Sequence, residues 1–263
     1  MSDARRTIAV IGGSGIAGIF EGGPTESHKV ATPWGAPSGP IEEGRVGGVR
    51  TLFLPRHGPG HTIPPHRVNY RANVDALRSL GADAIVTVSS VGSLREELAP
   101  GTFVLPSQFV DLTKQRPTTF YDGGRVYHVS LADPFCPDLA RTAATTGREL
   151  GIPFADGATY VCVEGPRFST RAESKFFRSF ADIIGMTLVP EVTLARERAL
   201  CYLCLAMVTD YDVWAERPVG TKEIIETMHR NASRMHRVLN AMLPRLATPP
   251  TCACANALDD AGV

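Results

Sequence analysis

The sequence predicts an α/β fold, a single domain with a central mixed, largely parallel twisted sheet flanked by helices, on three observations. Short apolar runs of strand length recur at 8–11, 51–54, 84–88, 102–105, 159–163 and 203–208. Segments of helical period fall between several of them, the interleaving that builds a parallel sheet covered by helices. No serine-rich linker, block of charge or internal repeat divides the 263 residues, and 43% apolar content is enough for one full core.

The first strand breaks into a glycine turn, IAVIGGSGIAG, whose backbone N–H groups can approach an anion without interference from Cβ. Gly13, Gly15 and Gly18 fit the G-x-G-x-x-G of dinucleotide sites, but that fingerprint needs a helix at once and an acid about 20 residues on. Here Gly22-Gly23-Pro24 and Thr32-Pro33-Trp34-Gly35-Ala36-Pro37 follow, and Glu42 and Glu43 sit at no clear strand end. The expectation is a loop for free phosphate, with Ser14 supplying a hydroxyl. The run 51–54 leads into Pro55-Arg56-His57-Gly58, where Arg56 can fork onto two phosphate oxygens and His57 can add a hydrogen bond. Residues 69–80 place Tyr70, Val74, Leu77 and Leu80 on one helical face and stop at Gly81. After 84–88 come Ser89, Ser90, Val91 and Gly92, small hydroxyls again at a strand end. Three strand-end loops thus offer anion donors, at the end of a parallel sheet where ligands gather.

Downstream of 159–163, Val163-Glu164-Gly165-Pro166-Arg167-Phe168-Ser169 leaves an aromatic on an irregular segment, either to stack on a base or to enter the core. Thr170 and Glu173 have capping-box spacing at the head of a helix over 170–180. Gly185-Met186-Thr187 offers a further hydroxyl, and 191–200 is another helical segment. The run 203–208 ends in Thr209-Asp210-Tyr211-Asp212, two carboxyls suited to a metal, an acid/base pair or an amino-bearing heterocycle. Metal is the weakest of these, since no histidines accompany them. The clearest helix spans 221–243, with Ile224, Met228, Met235, Leu239 and Met242 in one stripe. Beyond Leu246, Pro249-Pro250 and Cys252-Ala253-Cys254 read as an appended tail, 247–263.

With 27 basic and 27 acidic residues the chain carries no net charge, which argues against nucleic acid as a partner. No apolar run reaches the roughly 18 residues of a membrane span, and the expected compartment is the cytoplasm. The six cysteines, Cys136, Cys162, Cys201, Cys204, Cys252 and Cys254, read as buried thiols or as disulfides of the kind hyperthermophiles use inside cells. A zinc site from Cys201-x-x-Cys204 with Cys252-x-Cys254 is disfavoured, because CYLCLAMV reads as a buried strand.

IGGSG, LPRHGPGHTIPPHRVNYRAN, VGSLREEL, DPFCP, EGPRFSTRAES, GMTLVPE and TDYD, in this order, resemble the 5'-methylthioadenosine phosphorylases of the trimeric purine nucleoside phosphorylase family. The resemblance runs from Ile8 to about Leu243, and the Cys-x-Cys tail is similar to that of thermophilic archaeal members, where equivalent cysteines form disulfides. It implies a phosphorylase domain over 1–246 and phosphorolysis of a 5'-substituted adenosine. It further implies a homotrimer or dimer of trimers, no cofactor and no metal, inorganic phosphate being a co-substrate. Ser14, Arg56, His57, Ser89, Ser90 and Thr187 match phosphate ligands; Met186 lies under the ribose and Phe168 packs on the purine. Asp210 and Asp212 match the residues that meet the base, and as the catalytic pair the expectation is Asp212 first and Asp210 second. His128 matches a residue lent across the trimer interface, and Ser169, Gly185 and the segment around Glu223 match positions of substrate preference. Gly185 stands where many members carry Asn, which implies a more permissive base pocket.

Overall fold

The computed structural model describes residues 6–13, 16, 18–20, 22–215 and 221–263, with the side chains of 221–225 left out. Ser14 and the side chain of Glu223 therefore lie outside the described residues, as do Gly15 and Val219.

Strand β1 (Ile8–Gly12) is buried along its whole length, between parallel partners β4 (Val49–Pro55) and β5 (Ala84–Ser93). Burial on both faces is why the run is continuously apolar instead of alternating. β3 (Ile41–Val46) pairs antiparallel with β4, and the short β2 (Glu26–His28) forms the edge. Glu42 and Glu43, which the sequence puts at no clear strand end, lie inside β3. Adjacent charges and a glycine between the buried Ile41 and Val46 hid it, and Glu43 is bound by Arg50 of β4, at 2.7 and 2.8 Å.

On its other side β5 runs parallel to β9 (Cys201–Asp210) and antiparallel to β8 (Ile183–Gly185). β8 continues to β7 (Phe154–Val163), β7 to β6 (Phe103–Leu112), and β6 returns to β9. The sheet order is β2-β3-β4-β1-β5-β8-β7-β6-β9, and the β5–β9 pairing closes its last five strands on themselves. β5, β6, β7 and β9 all outrun their apolar runs, because ladder hydrogen bonds carry the strands on through polar residues such as Ser89, Ser90 and Gln108.

Helix α1 (Tyr70–Ser79) starts at Asn69, whose side chain accepts the Ala72 N–H, and packs with α4 (Glu191–Glu197) on one face. α2 (Pro137–Glu149) and α5 (Thr221–Met242) pack on the other. Met235, Leu239 and Met242 of the predicted stripe are fully buried, Met228 is half-buried, and the Ile224 side chain is outside the description. α3 (Arg171–Phe177) carries the capping box: Thr170 Oγ1 accepts from Glu173 N and the Glu173 carboxylate accepts from Thr170 N. α3 and α4 are both shorter than read from the sequence; α4 is stopped by Ala199 at φ 52, which turns the chain into β9. α2 escapes sequence reading because its buried residues include Ala143, Thr146 and Gly147, too small to make an apolar stripe.

The tail lies against the body. Asp138 at the head of α2 accepts from Thr251 N, Thr251 Oγ1 and Cys252 N, and Gly262 bridges Tyr127. Cys201 and Cys204 fall on opposite faces of β9, Cys201 in the core under α2 and α5 and Cys204 in the core under α1 and α4, which rules out the zinc site built on both. Among the described residues no helix is long and apolar enough to cross a membrane.

Candidate active site

Parallel pairing aligns the ends of β4 and β1, and sets Thr87, midway along β5, opposite Ile11. Gly12 lies opposite Pro55, and Arg56 N donates to Gly12 O at 2.9 Å, which fixes the arginine at the mouth of the glycine turn. The Arg56 side chain is 2% exposed. Four of its five N–H groups are used: Nε and Nη2 fork onto Glu191 at 3.0 and 3.2 Å, Nη1 donates to Val88 O at 3.1 Å, and Nη2 also reaches Thr87. Burial by itself would lower the Arg56 pKa, but the Glu191 carboxylate outweighs it and holds the guanidinium firmly charged. Tyr202 donates to the same carboxylate at 2.9 Å.

Nothing in the local sequence points to Glu191. It sits 135 residues from its partner, and an acid at the first position of a short apolar helix carries no local pattern that points to an arginine.

His57 Nδ1 lies 2.8 Å from Ile63 O. A carbonyl can only accept, so Nδ1 carries the hydrogen and Nε2 keeps a lone pair when the ring is neutral. Burial and then the Arg56 charge push the His57 pKa down to about 4, with the Ile63 carbonyl pulling weakly upward. The ring stacks on His61 at 4.3 Å. Ser89 is buried and its hydroxyl lies 3.3 Å from that of Thr187, which follows β8; Ser90 is half-buried, opposite Met207 in the ladder. The structure thus places Arg56 and His57 just past the end of β4 and Thr187 just past β8, while Ser89 and Ser90, expected at a strand end, lie within β5.

Gly92 lets the carboxyl pair close over the end of β5. A Cβ there would stand 3.0 Å from Asp210 Oδ1, 3.1 Å from Ile184 and 3.4 Å from Asp212 Cβ. Asp210 accepts from Thr209 Oγ1 at 2.7 Å and from Asp212 N at 2.8 Å. Asp212 is 5% exposed and adopts φ 52, a conformation that an L-residue holds only when its surroundings impose it. Burial raises its carboxyl pKa; the hydroxyls of Ser174 and Ser169 and the Val213 N–H lie close and pull the other way, yet Oδ2 is buried without a hydrogen-bond partner. Trp214 Nε1 donates to Ser93 O at 2.7 Å and fastens the turn.

Phe168 is 42% exposed, so the core alternative fails and its ring stands open to a ligand. Met186 is half-buried, its sulfur close over Gly165, where a Cβ would stand 2.5 Å away. The room that Gly185 leaves is not vacant. A Cβ on Gly185 would lie 1.9 Å from the Tyr160 hydroxyl, so this fully buried phenol, missed by sequence reading, fills the place of a larger side chain. His128 is apart from the cluster: it lines a cavity of about 430 Å³ with the C-terminal tail, and its N–H donates to Ala261 O.

Residues 7–244 match the family described as the phosphorylase superfamily. The S-methyl-5'-thioadenosine phosphorylase of Pyrococcus furiosus is 53% identical over 251 residues, 95% of this chain and 97% of the relative. That of Thermofilum pendens is 53% identical over 256 residues, 97% of each chain. Among solved structures, a methylthioadenosine phosphorylase from an Antarctic soil metagenomic library superposes with TM-score 0.92 at 43% identity, covering 99% of this chain and 93% of the other. The Schistosoma mansoni enzyme in complex with adenine gives 0.91 at 36%, covering 97% and 96%.

Proposed function

Since this chain belongs to the phosphorylase superfamily, we propose that it is a pentosyltransferase that cleaves 5'-methylthioadenosine with inorganic phosphate, giving adenine and 5-methylthioribose 1-phosphate. The observation that carries the reading is the Asp210–Asp212 corner at the end of β9, with a partnerless buried carboxyl oxygen, beside a cluster of buried Arg56, neutral His57, Ser89 and Thr187. Relatives sharing about half its residues over nearly the whole chain carry that activity in their names.

In this mechanism phosphate lies on one face of the sugar, held by Arg56, His57, Ser89, Ser90, Thr187 and Ser14. Adenine leaves from the other face through an oxocarbenium-like transition state. The C1'–N9 bond breaks as an oxygen–C1' bond forms, and the hydrogen lost by the monoprotonated phosphate ends on adenine. His57 Nε2 can accept the phosphate O–H. Asp212, whose carboxyl pKa burial raises, hands a proton to N7 and is reprotonated as the phosphate gives up its hydrogen, so that adenine leaves neutral. Asp210 accepts from the 6-amino group. Positioning and charge balance supply most of the rate. Phe168 packs on the purine and Met186 under the ribose; His128 of a neighbouring copy reaches the 5'-substituent, and Ser169, Gly185 and Glu223 tune preference. The reading includes a homotrimer or dimer of trimers in the cytoplasm, without a cofactor or a catalytic metal.

Release of adenine from methylthioadenosine, with phosphate supplied and withheld, tests it; release that ignores phosphate overturns it. Inosine and adenosine as rival substrates test the 6-amino preference. Asp212→Asn is expected to lower kcat by roughly 10²–10⁴-fold, and unchanged turnover would remove Asp212 from the proton's path.

A further inference from the structure

Two ties run from α3 to the walls of the proposed base subsite. Arg167 forks onto Glu173, in the first turn of the helix, at 2.7 Å through each of two nitrogens and also donates to Phe168 O at 3.0 Å, so the segment bearing Phe168 and Ser169 is bound to α3. From the first residue of the helix, Arg171 Nη1 donates to Val213 O at 3.0 Å and to Ala215 O at 3.3 Å, the carbonyls one and three residues past Asp212. We propose, on the reading that Asp212 protonates N7, that Arg171 is a positioning residue: it locks the turn after Asp212 to α3 and so holds that carboxyl at a fixed distance from the wall that carries Phe168.

The turn needs such a lock. Asp212 stands at φ 52, a conformation that a residue with a side chain keeps only where its surroundings impose it. One guanidinium nitrogen holds the carbonyls on both sides of Trp214, so a relaxation that carries residues 213–215 away breaks both bonds. Trp214 itself is pinned from the other end of the helix. Its Nε1 donates to Ser93 O at 2.7 Å, and the guanidinium of Arg178, the residue that closes α3, lies 4.0 Å over its ring. Arg178 is held in turn, donating through Nε to Leu94 O at 3.0 Å and accepting at its carbonyl from Arg95 at 2.7 Å.

α3 also faces the carboxyl. The Ser174 hydroxyl, fully buried one turn beyond Arg171, lies beside Asp212. One short helix thus sets where Asp212 sits, what its carboxyl meets, and how far it stands from Phe168. The groups proposed for phosphate stand elsewhere, just past β4, within β5 and just past β8. Loss of Arg171 should therefore move turnover and leave phosphate binding alone.

A double-mutant cycle on kcat, Arg171→Gln against Asp212→Asn in the full chain, tests this, with methylthioadenosine saturating and phosphate varied. Arg171 is exposed, and the capping box that starts α3 uses Thr170 and Glu173, so the variant is expected to keep the wild-type Tm. It is expected to lower kcat at least about tenfold, within what a ~1 Å misplacement of a reacting group costs, and to leave KM for phosphate within about twofold. In the Asp212→Asn background the same change should cost less than about twofold, because the group it positions is gone. Arg171→Lys, which keeps a donor at the end of its stem, should recover at least about threefold of the loss. If Arg171→Gln folds poorly, Trp214→Phe, which removes the bond to Ser93 O and keeps a ring under Arg178, is carried through the same cycle with the same expectation. A kcat within about twofold of wild type, or equal losses in both backgrounds, overturns the proposal. A wild-type chain that releases no adenine, or an Asp212→Asn chain with full turnover, overturns the reading beneath it, and the role of Arg171 falls with that reading.

Discussion

Arg56 and Glu191 neutralise each other inside the protein, and His57 beside them is held neutral by burial. The anion subsite proposed there attracts phosphate by directed hydrogen bonds, with one N–H of Arg56 left over, more than by surplus charge. His57 also makes stability depend on pH. Its pKa falls from 6.5 in the unfolded chain to about 4 in the folded one. The folded state therefore binds fewer protons, and the contribution is fully present above about pH 6.5 and lost as pH falls toward 4. At about 1.4 kcal/mol per unit the loss is on the order of 3 kcal/mol. His57→Gln is expected to flatten that part of the stability curve, measured by denaturant unfolding between pH 7 and 4. An unchanged slope would contradict a buried neutral ring. The loop bearing Arg56 and His57 was legible because a cation and an imidazole follow an apolar run directly. Glu191 was not, since an ion pair across 135 residues leaves no trace in local pattern.

β7 and β8 meet at a place where one strand's side chain decides what the other can carry. Cys162 pairs with Gly185, and Tyr160, two residues earlier in β7, pushes its phenol against the glycine's Cα. Gly185→Asn is therefore expected to be strongly destabilising by itself, through overpacking of at least about 1–3 kcal/mol. Combined with Tyr160→Leu, much of that loss should return. A double-mutant cycle read by thermal unfolding checks it, and strictly additive effects would mean that the two side chains do not compete. Strands and helices with strong apolar runs, such as β1 and α5, were read correctly from sequence. β3, α2 and β8 were not: one sets charges and a glycine between its apolar ends, one buries alanine, threonine and glycine, and one has only three residues. Each is held by its neighbours more than by its own composition.

Over the whole molecule, the closed arrangement of β5, β8, β7, β6 and β9 brings the ends of β5 and β9 together with the loop after β8. The 1–246 phosphorylase domain and the 247–263 tail, proposed as separate units, touch through Asp138, the cluster of Cys136, Cys201, Cys252 and Cys254, and the 126–128 segment. Removing residues 247–263 should lower the Tm and abolish hydrogen-exchange protection of the His128 amide, whose acceptor is Ala261 O. Protection that survives truncation would show the segment to be ordered without the tail. Apolar period, capping residues and small hydroxyls are local, and from them the amino-acid order alone established an α/β fold and pointed to one end of its sheet as the place for an anion. Which side chains meet there was settled by tertiary structure. The pairing of Arg56 with Glu191, the filling of Gly185 by Tyr160 and the gathering of those four cysteines all join positions far apart in the chain, and such contacts exist only once strand order and register have brought them within reach.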